Sequence, residues 1–156
     1  MDPMTFQATQ VLRDDHKRLQ GLFRQFETLD RGARDVKRRL VEEIFTLLQI
    51  HTEIEENIFY PAIAAAGDEN ARGMVEESLQ DHKRMSGFTR LLSRMNVFGE
   101  FFDARFSGVI NEMMDHITKE EREILPMAEK LLSSRMTELG GQMMSVKEEW
   151  TRSKAA

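Results

Sequence analysis

The stretch His51-Thr-Glu-Ile-Glu55-Glu-Asn-Ile-Phe-Tyr-Pro61 returns 65 positions later as His116-Ile-Thr-Lys-Glu120-Glu-Arg-Glu-Ile-Leu-Pro126. Histidine, both glutamates and proline fall in register. Beside it, Asp15-His16-Lys17-Arg18-Leu19 returns 66 positions later as Asp81-His82-Lys83-Arg84-Met85. The chain has four histidines, and this double repeat uses all of them. A two-helix unit, with a lone His on one helix and His-x-x-x-Glu on the other, is therefore written twice. A repeat at fixed spacing governs how everything around it is read.

Working outward, the apolar spacing predicts four long amphipathic helices. The first runs from about Thr5 to Asp30, with Leu12, His16, Leu19, Phe23 and Phe26 in one inward series and Gly32 as its left-handed stop. The second starts near Ala33 and carries Leu40, Ile44, His51, Ile54, Glu55 and Ile58 on one stripe until Pro61 kinks or ends it. A third, from about Asp68 to Met95, turns Val75, Leu79, His82, Met85, Phe88 and Leu92 inward. The fourth does the same with Phe102, Phe106, Val109, Met113, His116, Glu120, Ile124, Met127 and Leu131, interrupted at Pro126. Short connections then give an all-α, up-down-up-down four-helix bundle over residues 1–132. Residues 133–156 read as a C-terminal extension. Gly140-Gly141 is an expected break, and Met143, Val146 and Trp150 make one face of a short final helix that packs on the bundle or serves a partner.

Composition narrows the function. A chain of 156 residues supports a single core that buries roughly 70% of its unfolded surface. Net charge is −5, so the basic run Arg31 to Arg39 reads as a solvated helix start and no nucleic-acid partner is expected. Met1–Gln7 shows no basic segment followed by an apolar run, and no apolar stretch approaches the ~20 residues of a membrane helix. A soluble cytoplasmic protein with no membrane partner, monomeric or weakly dimeric, is the expectation. With no cysteine, any metal is left to imidazole and carboxylate.

Those ligands are spaced to grip one. Positions i and i+4 stack on one helix face, so His51 with Glu55, and His116 with Glu120, can each reach a common point. Glu56 and Glu121 are turned by about 140° from their histidines and are read as outer or surface groups. Asp15, Asp81 and Asp115 each precede a histidine and are candidates to hold a neighbouring imidazole, or simply to face water. Tyr60 lies opposite His51 on an ideal helix and is not enlisted. Buried carboxylates and imidazoles need compensating charge. Two cations held by His16, His51, Glu55, His82, His116 and Glu120, with the glutamates bridging, would supply it. Positions then remain for an oxo or hydroxo bridge and an exogenous small molecule. The donor set suits iron over magnesium or calcium, with zinc and manganese also compatible.

Asp15-His16, His51 to Glu55 with Phe59-Tyr60-Pro61, Asp81-His82 and Asp115-His116 to Glu120 together resemble the hemerythrin-like, or HHE cation-binding, family over about residues 9–132. That resemblance implies a four-helix bundle holding a non-heme di-iron centre. Its oxygen carriers have a further histidine where this chain has Ser86, and an aspartate where it has Glu121. The chain looks more like the branch with four histidines and two glutamates, whose members are implicated in iron-centre repair, nitric oxide or peroxide chemistry, and iron sensing. The repair proteins carry an additional cysteine-bearing N-terminal region, whereas this chain has no cysteine. The function expected is binding or turnover of nitric oxide, peroxide or dioxygen at open iron positions. Iron or gas sensing without turnover, or oxygen carriage, are the alternatives.

Overall fold

The computed structural model describes residues 5–30 and 32–155, with side chains to Ser153; the opening residues of the Met1–Gln7 stretch, and Arg31 of the basic run, lie outside the described residues. Four helical rods form the bundle. They are α1 (Ala8–Glu27), α2 (Arg34–Ile54) continuing into α3 (Tyr60–Ala66), α4 (Glu69–Ser93), and α5 (Phe102–Lys119) continuing into α6 (Leu125–Leu131). α1 packs on α2 and α5, and α4 packs on α3 and α5, which closes the square. Among the described residues there is no strand, and no helix is long and apolar enough to cross a membrane.

The two proline-bearing rods do not break. Each shifts into one π-helical turn, Glu55–Phe59 before Pro61 and Glu120–Ile124 before Pro126. An i→i+5 turn inserts one residue, which rotates everything after it by about 100°. The buried stripe therefore slips by one position. Beyond Ile54, Ile58 is only part-buried, while Phe59, Tyr60 and Ile63 are buried. Beyond Ile124, the predicted Met127 and Leu131 give way to Ala128 and Leu132.

Other expectations also shift. α1 stops at Glu27, not near Gly32, because the Thr28 hydroxyl and amide both donate to the Arg24 carbonyl, and no described glycine has positive φ. α4 starts where the Asp68 carboxylate accepts the Ala71 amide at 2.9 Å. Phe88, expected inward, is 40% exposed on the outer side of α4. The C-terminal extension forms a 20-residue helix, α7 (Met136–Ala155), rather than a short one. It runs unbroken through Gly140-Gly141, since glycine at 140 is used for close packing: a side chain there would collide with the Phe6 backbone. α7 packs on α1 and α2 and buries Met136, Leu139 and Met143.

The apolar interior falls into two clusters. One, around Ile54, Tyr60, Ile63, Ile124 and Met143, lies toward the proline end. The other, around Leu19, Ile44, Phe102 and Phe106, fills the far end. A polar layer divides them.

Candidate metal centre

That layer is built by the repeat. His16 and His82 come from α1 and α4, His51 and His116 from the last turns of α2 and α5, and Glu55 and Glu120 open the two π turns. All six are buried, and both glutamates are 0% exposed. The π turns sit where the glutamates must swing toward the bundle axis. Such turns recur where helices present functional groups.

The six side chains sort into two overlapping groups. His16, His51, Glu55 and Glu120 bring one donor atom each within 4.8 Å of one another, as do Glu55, His82, His116 and Glu120. Glu55 and Glu120 belong to both. His51 Nε2 is 3.3 Å and His82 Nε2 3.1 Å from Glu55 Oε1, while His16 Nε2 is 3.4 Å from Glu120 Oε1 and His116 Nε2 is 3.3 Å from Glu120 Oε2. His82 Nε2 and His116 Nε2 stand 3.2 Å apart.

These distances test whether a cation fits. His16 Nε2, His51 Nε2, both oxygens of Glu55 and Glu120 Oε1 are buried without a hydrogen-bond partner, although opposite donors stand close by. Close approach with the wrong angles for hydrogen bonding is what lone pairs aimed at a shared third point produce. Ligands about 2.1 Å from one ion and at right angles to each other lie about 3 Å apart, near the spacing seen. Imidazole and carboxylate without thiolate complete a donor set that transition-metal cations accept. The residues fit the group.

Behind the inner atoms stands a ring of acids. Asp15 Oδ2 lies 2.9 Å from His51 Nδ1, Asp81 Oδ2 3.2 Å from His116 Nδ1 and Glu56 Oε2 3.2 Å from His82 Nδ1. Glu121 Oε1 is 3.8 Å from His16 Nδ1, an ion-pair distance only. Within each repeat, the Asp before the first His holds the second; between repeats, the glutamate after each shared Glu faces the other unit's first His. Such contacts fix the tautomer with Nε2 free to bind. Asp115 is exposed and takes no such role.

Tyr60 is the residue that sequence reasoning missed. It is 1% exposed, and its hydroxyl donates to Glu120 Oε2 at 2.6 Å and lies 3.3 Å from His82 Nε2. The inserted residue of the π turn carries it from the far side of the helix toward the axis. A proline closely following a His-x-x-x-Glu was the available signal for that shift.

Protons occupy the charge balance in the absence of metal. Burial pushes the His51 imidazole toward its neutral form, but Glu55 and Asp15 outweigh it and hold its pKa well above the ordinary value. His116 is raised in the same way, against burial, by Glu120, Glu55 and Asp81. Glu55 is held well below the carboxylate range, its burial overcome chiefly by His51. Tyr60 is pushed well up by burial and by Glu55 and Glu120, so it keeps its proton.

Residues 7–128 match the hemerythrin HHE cation-binding domain. The chain belongs to that family. The crystal structure of a hemerythrin HHE cation-binding domain-containing protein from Mycobacterium kansasii has the same fold. It aligns with a TM-score of 0.80 at 22% identity, covering 94% of this chain and 88% of that one. No curated protein matches the sequence. This HHE domain thus carries a His/Glu cluster able to hold metal. A cavity of about 320 Å³ reaches it, bordered by His51, His82 and His116 and walled by Leu48, Met85 and Met113. Ser86 lines the same cavity.

Proposed function

We propose that this HHE domain is a non-heme di-iron protein that binds or turns over nitric oxide, peroxide or dioxygen. The observation that carries the reading is the pair of overlapping four-residue clusters, sharing Glu55 and Glu120 and opening on a cavity through His51, His82 and His116. His16 and His51 would hold one ion and His82 and His116 the other, with both glutamates bridging. Zinc and manganese fit the same donors. Iron supplies Lewis-acid and one-electron redox chemistry when bound.

The chain's own groups do the rest. Asp15, Asp81 and Glu56 keep a proton on Nδ1 of three of the imidazoles and so leave Nε2 free. Tyr60 holds Glu120 through Oη and retains its proton there. The apolar walls from Leu48, Met85 and Met113 keep bulk water from the inner donors, while Ser86 leaves the approach open. An arrangement with an open approach favours chemistry on a small exogenous molecule over simple storage of the ions.

Metal analysis of natively purified protein should find two irons per chain. Anaerobic reduction followed by titration with nitric oxide, hydrogen peroxide and dioxygen, watched in the absorption spectrum, should show a response to at least one and its steady-state consumption. An iron-loaded protein that is optically silent to all three refutes the reading. A response without consumption moves it to sensing or carriage.

A further inference from the structure

The two halves of the centre are built from the same repeat but are not enclosed alike. On the His16–His51 side, α7 lies across α1 and α2. Its Lys147 Nζ pairs with Asp15 Oδ1, while the other oxygen of Asp15 holds His51 Nδ1 at 2.9 Å. Asp15 is 3% exposed, so the lysine compensates a charge that water does not reach. Trp150 Nε1 donates to Glu53 Oε2 at 2.7 Å and pins the same helix two residues from His51.

On the His82–His116 side the matching aspartate, Asp81, is 24% exposed at its side chain. Its cation is Arg84, from the same helix, 3.1 Å away and 54% exposed. An exposed pair within one helix contributes little and fixes little. Among the described residues, the group behind His116 Nδ1 is Asp81, with no α7 side chain paired to it. His16 is 0% exposed and does not border the cavity, whereas both His82 and His116 do; on the α7 side only His51 reaches it.

We infer that α7 makes the halves unequal: Lys147, acting through Asp15 as a positioning residue for His51, retains the ion held by His16 and His51 more firmly than the ion held by His82 and His116. The inference rests on the metal reading of the previous subsection. Lys147 touches no inner donor; it fixes the acid that fixes the imidazole. Partners of this outer kind commonly change metal affinity by about 10–100-fold.

The test uses the full chain, stripped of metal, loaded with Co²⁺ as a visible probe and challenged with excess chelator. Wild type should release cobalt in a fast and a slow phase of equal amplitude. Lys147→Met should accelerate the slow phase by about tenfold or more and leave the fast phase alone, and Lys147→Arg should restore it. In an Asp15→Asn background, Lys147→Met should add nothing, because the aspartate is the route of its effect. If Lys147→Met does not reach wild-type helix content by circular dichroism, Lys147→Gln takes its place with the same expectation. A single release phase in wild type overturns the inference. So do unchanged phases in the lysine variant, an equal acceleration of both phases with a lowered melting temperature, or an undiminished lysine effect without Asp15. Wild type that takes up no cobalt sinks the metal reading itself, which separates that failure from the others.

Discussion

The bundle has apolar ends and a polar middle, and the two answer to different physics. At the far end, Phe106 stacks on Phe102 at 5.6 Å and meets Phe26 and Phe45 edge-on at 4.6 and 5.6 Å. Those contacts are satisfied by the chain alone. In the middle, six buried polar side chains stand close together with several of their inner atoms unpartnered. Hydrophobic burial gives the fold its stability, while the middle layer must have its buried charges balanced, by protons in the metal-free chain or by a cation. Variants of the ends should therefore change stability and spare metal binding. Variants of the middle should act first on metal binding, and on stability differently with and without metal.

The largest effect belongs to a shared glutamate. Glu120→Ala removes a donor from both clusters at once, and the loss in metal affinity should exceed the roughly 100-fold typical of outer-sphere changes. Competition with a chromophoric chelator reads it. Metal-free Glu120→Ala should keep its helix content; a collapse of the metal-free fold would mean that the layer holds the bundle together unaided. Phe106→Ala is the counterpart. It should cost about 3–5 kcal/mol in denaturant unfolding of loaded and metal-free protein alike, with metal stoichiometry unchanged.

pH separates the layers next. His51 and His116 have pKa values above the ordinary 6.5 in the metal-free protein. A raised folded pKa contributes stability that is complete below the unfolded value and is lost as pH rises through the folded one. Glu55 and Asp15 are lowered from 4.5 and 3.8, so their contribution is present above those values and is lost as pH falls through their folded ones. The metal-free protein should thus be most stable between about 4.5 and 6.5 and weaken as pH climbs beyond. Loaded protein should strengthen over the same rise, because ions compete with those protons for the imidazoles. Parallel thermal melts across pH, with and without metal, check the crossing; curves that move together would erase the distinction.

Much of this was legible in the chain. The His51 and His116 repeats set four rods in register, and the two His-x-x-x-Glu pairs together with the repeated Asp-His of His16 and His82 marked the six side chains that meet. What the letters concealed was phase. Ideal periodicity put Tyr60 opposite His51 and made Ile58, Met127 and Leu131 core residues. The π turns that precede Pro61 and Pro126 moved each stripe by one residue and brought Tyr60 in. Gly140-Gly141 read as a break because propensity is local, whereas the reason for Gly140 is the Phe6 backbone, over 130 positions away in sequence. Phe88 shows the same limit in reverse: its helical spacing is inward, yet it stays 40% exposed at the edge of a groove between α4 and α5.

The smallest expected effect bears on that displaced tyrosine. Tyr60→Phe keeps the ring packed and removes only the hydroxyl that donates to Glu120 Oε2 at 2.6 Å. In the metal-free protein a buried carboxylate oxygen then loses a partner, at a cost of about 1–2 kcal/mol. In loaded protein the same oxygen has a cation to face, so the cost should shrink toward zero. The difference between the two melting shifts measures how far Tyr60 serves the polar layer rather than the apolar cluster around it. Equal losses in both forms would place Tyr60 with Phe59 and Ile63 as core. A larger loss in the loaded form would make the hydroxyl part of the centre itself, since only there would its removal subtract from metal binding as well as from folding.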